Sequence, residues 1–321
     1  MLSGEAARIE GCGARRFMHN EWPNRAASRL VDAGGLEWHV QIFGSGPPLL
    51  LLHGTGASAH TWRDSAPLLA KHFRVIAPDL PGHGFTSAPD FAGFSLSGMA
   101  GSVRDLLSEL DVSPAIAAGH SAGAAILIRM ALNAQVAPRF IAAINGAILP
   151  VTGFPHWLFS PMARFLARNR WVPHLLATRA GSFGAVRRLI RDTSSELDET
   201  GVRLYQHLLQ TPSHVAAALS MMANWDLATL ARDVGRLRTP LKLLVGERDR
   251  AIPPAEAARV SALVRGARIF SLGNYGHLAH EEVPGIFSDV IVRLGIEAGV
   301  LTAGARETPG GLWWLHPHMQ L

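Results

Sequence analysis

The sequence predicts an α/β fold, a mostly parallel central sheet with helices on both faces, and three observations carry that expectation. Short apolar runs alternate with stretches of helical spacing. Glycine-bearing turns close several of the apolar runs, and one long helix-like stretch interrupts the alternation. Residues 36–43 and 48–53 read as two strands joined by Gly44-Ser45-Gly46. A helix follows over 60–70, a buried strand over 73–77, a tight turn at Asp79-Leu80-Pro81-Gly82-His83-Gly84, and a helix over 97–110 capped by Ser95 or Ser97. After the Ser113-Pro114 break come a strand at 115–118, a helix over 124–132 and a strand over 140–148. The alternation resumes from Pro240, with strands at 241–245 and 267–272 and helices at 254–264 and 284–294.

The interrupting stretch, 150–231, carries Trp157, Phe159, Phe165, Trp171, Met221, Met222 and Trp225 among many arginines and reads as a helical cap. The domain expectation is therefore an irregular arm over 1–30, a core of 31–149 and 232–295, the cap over 150–231 and a tail over 296–321. The tail holds Leu312-Trp313-Trp314-Leu315 and reads first as a loosely packed extension, with docking of its two tryptophans against a partner, a membrane interface or the protein itself as the alternative.

Composition narrows the function classes. With 321 residues, 48% hydrophobic and 17% charged, the chain can bury a large core. No apolar run reaches the roughly 20 residues of a membrane helix, and the N-terminal stretch has no signal-peptide core. The expected location is cytoplasmic, with at most peripheral membrane contact. One cysteine, Cys12, allows no internal disulfide. The net charge of +5 comes from scattered arginines with no basic run interleaved with aromatics, so nucleic acid is not an expected partner.

Gly119-His120-Ser121-Ala122-Gly123 stands between an apolar run and a helical stretch. A serine on such a sharp strand-to-helix turn projects its hydroxyl from the sheet, and a Cβ at either glycine would strike neighbouring elements. Ser121 is the expected nucleophile, and the Ala122 amide, at the helix start, points where an oxyanion would form. His53-Gly54-Thr55-Gly56 stands where the second donor belongs, through the Thr55 amide. The expected order is serine, acid, histidine, and it is met by Asp249 after the strand at 241–245 and His277 after the strand at 267–272. Glu247 competes for the acid and His280 for the base, with Asp249 and His277 preferred. His120, Trp225 and Met222 are the expected substrate contacts, although His120, inside the turn, also reads as packing against the sheet; His53 and His83 read as buried imidazoles bonded to backbone. No metal-ligand spacing, dinucleotide fingerprint or phosphate loop occurs, so no metal or cofactor is expected.

With these parts in this order over residues 30–295, the chain resembles the α/β-hydrolase superfamily with a helical cap. Further motifs sharpen the likeness: Glu21-Trp22-Pro23-Asn24-Arg25, Gly35-Leu36-Glu37-Trp38-His39-Val40, Leu52-His53-Gly54-Thr55-Gly56-Ala57-Ser58, and Met221-Met222-Ala223-Asn224-Trp225-Asp226-Leu227. They are similar to the magnesium-chelatase accessory family of bacteriochlorophyll biosynthesis in phototrophic bacteria. That resemblance implies a place near magnesium insertion into a porphyrin but supplies no reaction. Two expectations follow. One is a serine hydrolase acting on a hydrophobic or tetrapyrrole ester; the other is a non-catalytic porphyrin-binding accessory protein that assists magnesium chelatase. Dehalogenation is disfavoured, because it needs a carboxylate where Ser121 stands.

Overall fold

In the computed structural model, residues 22–150 and 171–302 are described. Eight strands form one sheet: β1 (Ser28–Ala33), β2 (Leu36–Phe43), β3 (Pro48–Leu52), β4 (Arg74–Pro78), β5 (Ile116–His120), β6 (Ile141–Ile144), β7 (Leu241–Gly246) and β8 (Arg268–Gly273). Their order is β1-β2-β4-β3-β5-β6-β7-β8, antiparallel at β1–β2 and β2–β4 and parallel elsewhere. The chain passes from β3 to β4 on one side and then crosses to β5 on the other. That reversal opens a crevice beyond the carboxyl ends of β3 and β5, where α/β sheets bind ligands.

Alternation along the inner strands divides the core into two layers. Leu50, Leu52, Ala117, Ile141, Ala143, Leu241 and Leu243 face one layer, covered by α2 (Leu96–Glu109), α3 (Ala122–Leu132) and α9 (Ala255–Leu263). Leu49, Leu51, Val75, Ala118, Ala142 and Leu244 face the other, against α1 (Ser65–Leu69) and α11 (Pro284–Glu297). Ser95 caps α2 by accepting the Gly98 amide at 3.1 Å.

Between β6 and β7 lie α4 (Trp171–Ala180), α5 (Phe183–Asp192), α6 (Glu199–Leu209), α7 (Pro212–Asn224) and α8 (Leu227–Asp233). The helical character expected there holds through 171–233; Trp157, Phe159 and Phe165 lie outside the described residues, as do Cys12 and Trp313-Trp314. A short α10 (Ala279–Glu282) follows the last strand. Three elements differ from expectation. β1 starts at Ser28, inside the stretch expected to be an irregular arm, because an edge strand half open to solvent shows little hydrophobic alternation. The expected helix over 60–70 is a 3₁₀ turn at Ala59–Trp62 followed by the one-turn α1. The strand expected over 140–148 ends at Ile144, where Asn145 turns left-handed with φ 44°.

The loop after β4 is held by a buried carboxylate. Asp79 Oδ2 accepts from His39 Nδ1 at 2.8 Å and from the Phe85 amide at 2.9 Å, and Oδ1 accepts from the Ala59 amide at 2.6 Å. Burial alone would raise its pKa, but His39 and these donors outweigh burial and bring it from 3.8 to about 2. A carboxyl lowered on folding stabilises the fold above its unfolded pKa and loses that contribution as pH falls through the folded value. The difference amounts to about 2 kcal/mol. Denaturant unfolding should therefore show the wild type more stable than Asp79→Asn near neutral pH, with the gap closing as pH falls from about 4 to about 2.

Candidate active site

Ser121 stands between the end of β5 and the start of α3 with φ 51° and ψ −114°, a region that non-glycine residues rarely enter. Three bonds hold it there: its amide donates to Ile144 O at 2.9 Å, and its carbonyl accepts from the Ala147 amide at 3.1 Å and the Ala124 amide at 3.2 Å. The flanking glycines answer to close approach. A Cβ on Gly119 would lie 2.5 Å from the Gly123 carbonyl carbon, and one on Gly123 would collide with Leu52 O and lie 2.7 Å from His53 O. The turn after β3 is equally close, since a Cβ on Gly54 would sit 3.1 Å from Ser121 Cβ and 3.0 Å from His120 Nδ1. Thr55 thus follows a glycine packed on the serine, and Ala122 opens α3 directly after it. Among the described residues the Ser121 hydroxyl makes no hydrogen bond.

Asp249 and His277 meet across the ends of β7 and β8. His277 Nδ1 bonds Asp249 Oδ2 at 2.7 Å, while Oδ1 accepts the amides of Ala251 at 2.8 Å and Ile252 at 2.9 Å. The acid is buried and its orientation is fixed by backbone. Glu247, the competing acid, is exposed and takes the Ser271 hydroxyl at 2.6 Å. His280, the competing base, has its ring 4.4 Å from His120 and its Nε2 2.7 Å from Thr61 Oγ1, so it has no contact with the acid.

The three residues expected from sequence as substrate contacts take different places in the fold. His120 is 3% exposed, its ring 4.6 Å from that of His277 and its Nε2 donating to His277 O at 3.0 Å. It supports the His277 loop from below and presents no polar atom to the crevice. The methionine that reaches the turn after β3 is Met221, whose sulfur accepts from Thr55 Oγ1 at 3.4 Å; Met222, 100° further round α7, is half-buried. Trp225 ends α7 and packs against the larger core layer, its indole N–H buried without a partner among the described residues.

Asn145, which the sequence reading did not single out, holds the loops that carry Asp249 and His277. Its Nδ2 donates to His277 O at 2.9 Å and Gly276 O at 3.1 Å, and its Oδ1 accepts the Gly246 amide at 2.9 Å. The bridging amide leaves no mark in the local sequence, because its partners lie a hundred residues and more along the chain.

Buried histidines surround the site. Burial lowers the pKa of His53, His83, His214 and His280, and of His120 as well. His53 donates to Gly54 O and accepts from the Leu80 amide, each at 2.8 Å, as a neutral ring must. A second serine–histidine–aspartate array also exists: Ser28 Oγ lies 2.9 Å from His39 Nε2, and His39 bonds Asp79. Ser28 sits in an edge strand, however, with no α-helix start beside it, and the His39 ring is sealed in the core. Geometry of the three side chains is not sufficient; an oxyanion site must accompany it. Among the described residues no group of three or more His, Cys, Asp or Glu could hold a metal ion, and no helix is long and apolar enough to cross a membrane.

The sheet order and the glycine-flanked turn at its switch point define an α/β hydrolase, and the chain belongs to the alpha/beta hydrolase family, whose pattern matches residues 49–290. It is similar to the magnesium-chelatase 30 kDa subunit of Rhodobacter capsulatus, with 39% identity over 271 residues covering 83% of this chain and 93% of the relative. It is also 27% identical over 264 residues to the 2-hydroxy-6-oxo-2,4-heptadienoate hydrolase of Pseudomonas putida, covering 79% of this chain and 91% of that one. Among solved structures, the epoxide hydrolase CorEH superposes with a TM-score of 0.72 at 23% identity, over 84% of this chain and 98% of that one, a likeness of fold.

Replacing Asn145 by Ala should lower unfolding stability by about 3 kcal/mol, since three buried backbone groups lose a partner at once. Asn145→Asp should not restore it, because a carboxylate cannot donate to two carbonyls. Denaturant melts of both variants check this.

Proposed function

We propose that the protein is a serine hydrolase that cleaves a hydrophobic ester by acyl transfer. The reading is carried by the 2.7 Å bond between His277 and a buried, doubly capped Asp249, beside a serine held in strained backbone at the sheet's switch point. In this mechanism Ser121 Oγ attacks the ester carbonyl while His277 Nε2 takes its proton. Asp249 keeps Nδ1 protonated and stabilises the imidazolium. The tetrahedral oxyanion accepts from the amides of Thr55 and Ala122, each worth about 3 kcal/mol in mutational precedent. Collapse breaks the C–O bond, His277 returns the proton to the leaving alcohol, and water, activated by the same imidazole, releases the acid and restores Ser121.

The substrate class we infer is a large apolar ester, a tetrapyrrole ester included. Met221, against Thr55, offers a polarisable surface beside the carbonyl site, and α5 and α6 pack through Val186, Ile190, Val202 and Tyr205 against Ala57 and Leu278, which follow Thr55 and His277. The name of the Rhodobacter relative favours a second reading, in which the protein binds a porphyrin and assists magnesium chelatase without turnover.

A fluorophosphonate separates the two. On the hydrolase reading it labels one serine, mapped by peptide mass to Ser121 and not to Ser28, and Ser121→Ala takes no label. Asp249→Asn should keep the fold and lower the labelling rate by about 10⁴. An unlabelled wild type whose Ser121→Ala form still supports chelatase in a deletion strain would favour the binding reading.

A further inference from the structure

The loop that carries His277 is held from two opposite directions. Its carbonyls, Gly276 O and His277 O, are taken by Asn145 from the sheet. Its three consecutive amides point the other way. Leu278 N donates to Ser195 Oγ at 2.8 Å, His277 N donates to Thr193 O at 3.3 Å, and Gly276 N donates to Glu282 Oε2 at 2.9 Å. The other oxygen of Glu282 accepts the Glu196 amide at 3.1 Å, so this carboxylate clips the two segments together. Residues 193–196 join α5 to α6 within the helical insertion. The insertion therefore supplies most of what satisfies the amide side of the histidine loop.

The local chain is built for this contact. α5 ends in a Schellman turn: Ser195 N bonds Ile190 O at 3.4 Å and Ser194 N bonds Arg191 O at 2.8 Å, with Ser194 left-handed at φ 64°. That conformation, usually left to glycine, drives the Ser194 carbonyl onto Gly276. A Cβ at Gly276 would collide with that carbonyl and lie 2.5 Å from Ser195 N, so the two segments are in backbone contact. Ser195 is fully buried. A second tie reaches the same region from α6, where Tyr205 donates to Glu281 at 2.7 Å and Glu281 also takes Thr61 at 2.6 Å and Arg63.

We propose that the 193–196 link of the helical insertion is a positioning device for the His277 imidazole, with Ser195 and Glu282 as its positioning residues. This positioning role deepens the hydrolase reading and rests on it for its catalytic meaning, but the link itself is a property of the fold.

The test uses the full-length protein, with Ser195→Ala and with Glu282→Gln, a partly exposed site where the volume is kept. The fluorophosphonate rate constant is measured per labelled site, so that a misfolded fraction does not enter. Each variant should label to the same final stoichiometry but about tenfold more slowly, given how steeply rate depends on sub-ångström placement. The double variant should fall by less than the product of the two, since both act through one loop. Independently of labelling, the downfield proton resonance of His277 Nδ1–H should broaden or exchange faster in both variants and recover in Ser195→Thr, which keeps the acceptor oxygen. A lowered melting temperature with unchanged rate constant and unchanged resonance would overturn the proposal. If the wild type takes no label while the resonance responds to the variants, the hydrolase reading fails and the link stands.

Discussion

Everything at this site depends on one backbone conformation. Ser121 occupies a dihedral region that costs of order 1–3 kcal/mol, and such strain survives only where its surroundings over-determine it. Here β6 captures the amide, the Ala147 amide captures the carbonyl, and two glycines let α3 and β3 come into contact with the turn. One consequence is that the Ala122 amide opens α3 toward the crevice; another is that the hydroxyl stands clear of the sheet. The strain is thus offset by bonds that also fix the distance between β5 and β6, and a site built this way moves only with the sheet.

The second constraint is electrostatic. The crevice is bordered by imidazoles, yet burial holds His53, His120, His214 and His280 in the neutral form, and they serve as hydrogen-bonding spacers between loops. His277 differs by facing a carboxylate that two amides already orient. His39 also faces one, but with its ring sealed in the core and its outer nitrogen on an edge-strand serine. Accessibility at the switch point separates the two arrays.

Much of this was legible in the sequence because it is local. The glycine spacing around Ser121, the strand preceding each of Asp249 and His277, and the Ser95 cap each follow from a few adjacent residues. What escaped depends on direction or on distant pairing. Met221 and Met222 differ by one position, which on a helix decides which of them meets Thr55. His120 could be placed in the turn but its ring direction could not. Ser194 closes α5 where a glycine would have announced the turn, so the junction with Gly276 left no compositional mark. Asn145 carries no chemistry of its own, and only the fold reveals that it bonds the loops after both β7 and β8.

The two-sided capture of the His277 loop also bears on how one fold hosts different reactions. The sheet holds the loop's carbonyls through Asn145 after β6 and His120 at the end of β5. Two of the loop's three amides are held by the insertion and the third by Glu282. An insertion that must satisfy those amides cannot drift freely at 193–196, because a change there reaches the His277 loop. Buried amides without acceptors are costly, about 1–3 kcal/mol each. The insertion is therefore constrained at 193–196 while remaining free to vary where it faces the ligand, and binding specificity can diverge without detaching the imidazole from its acid.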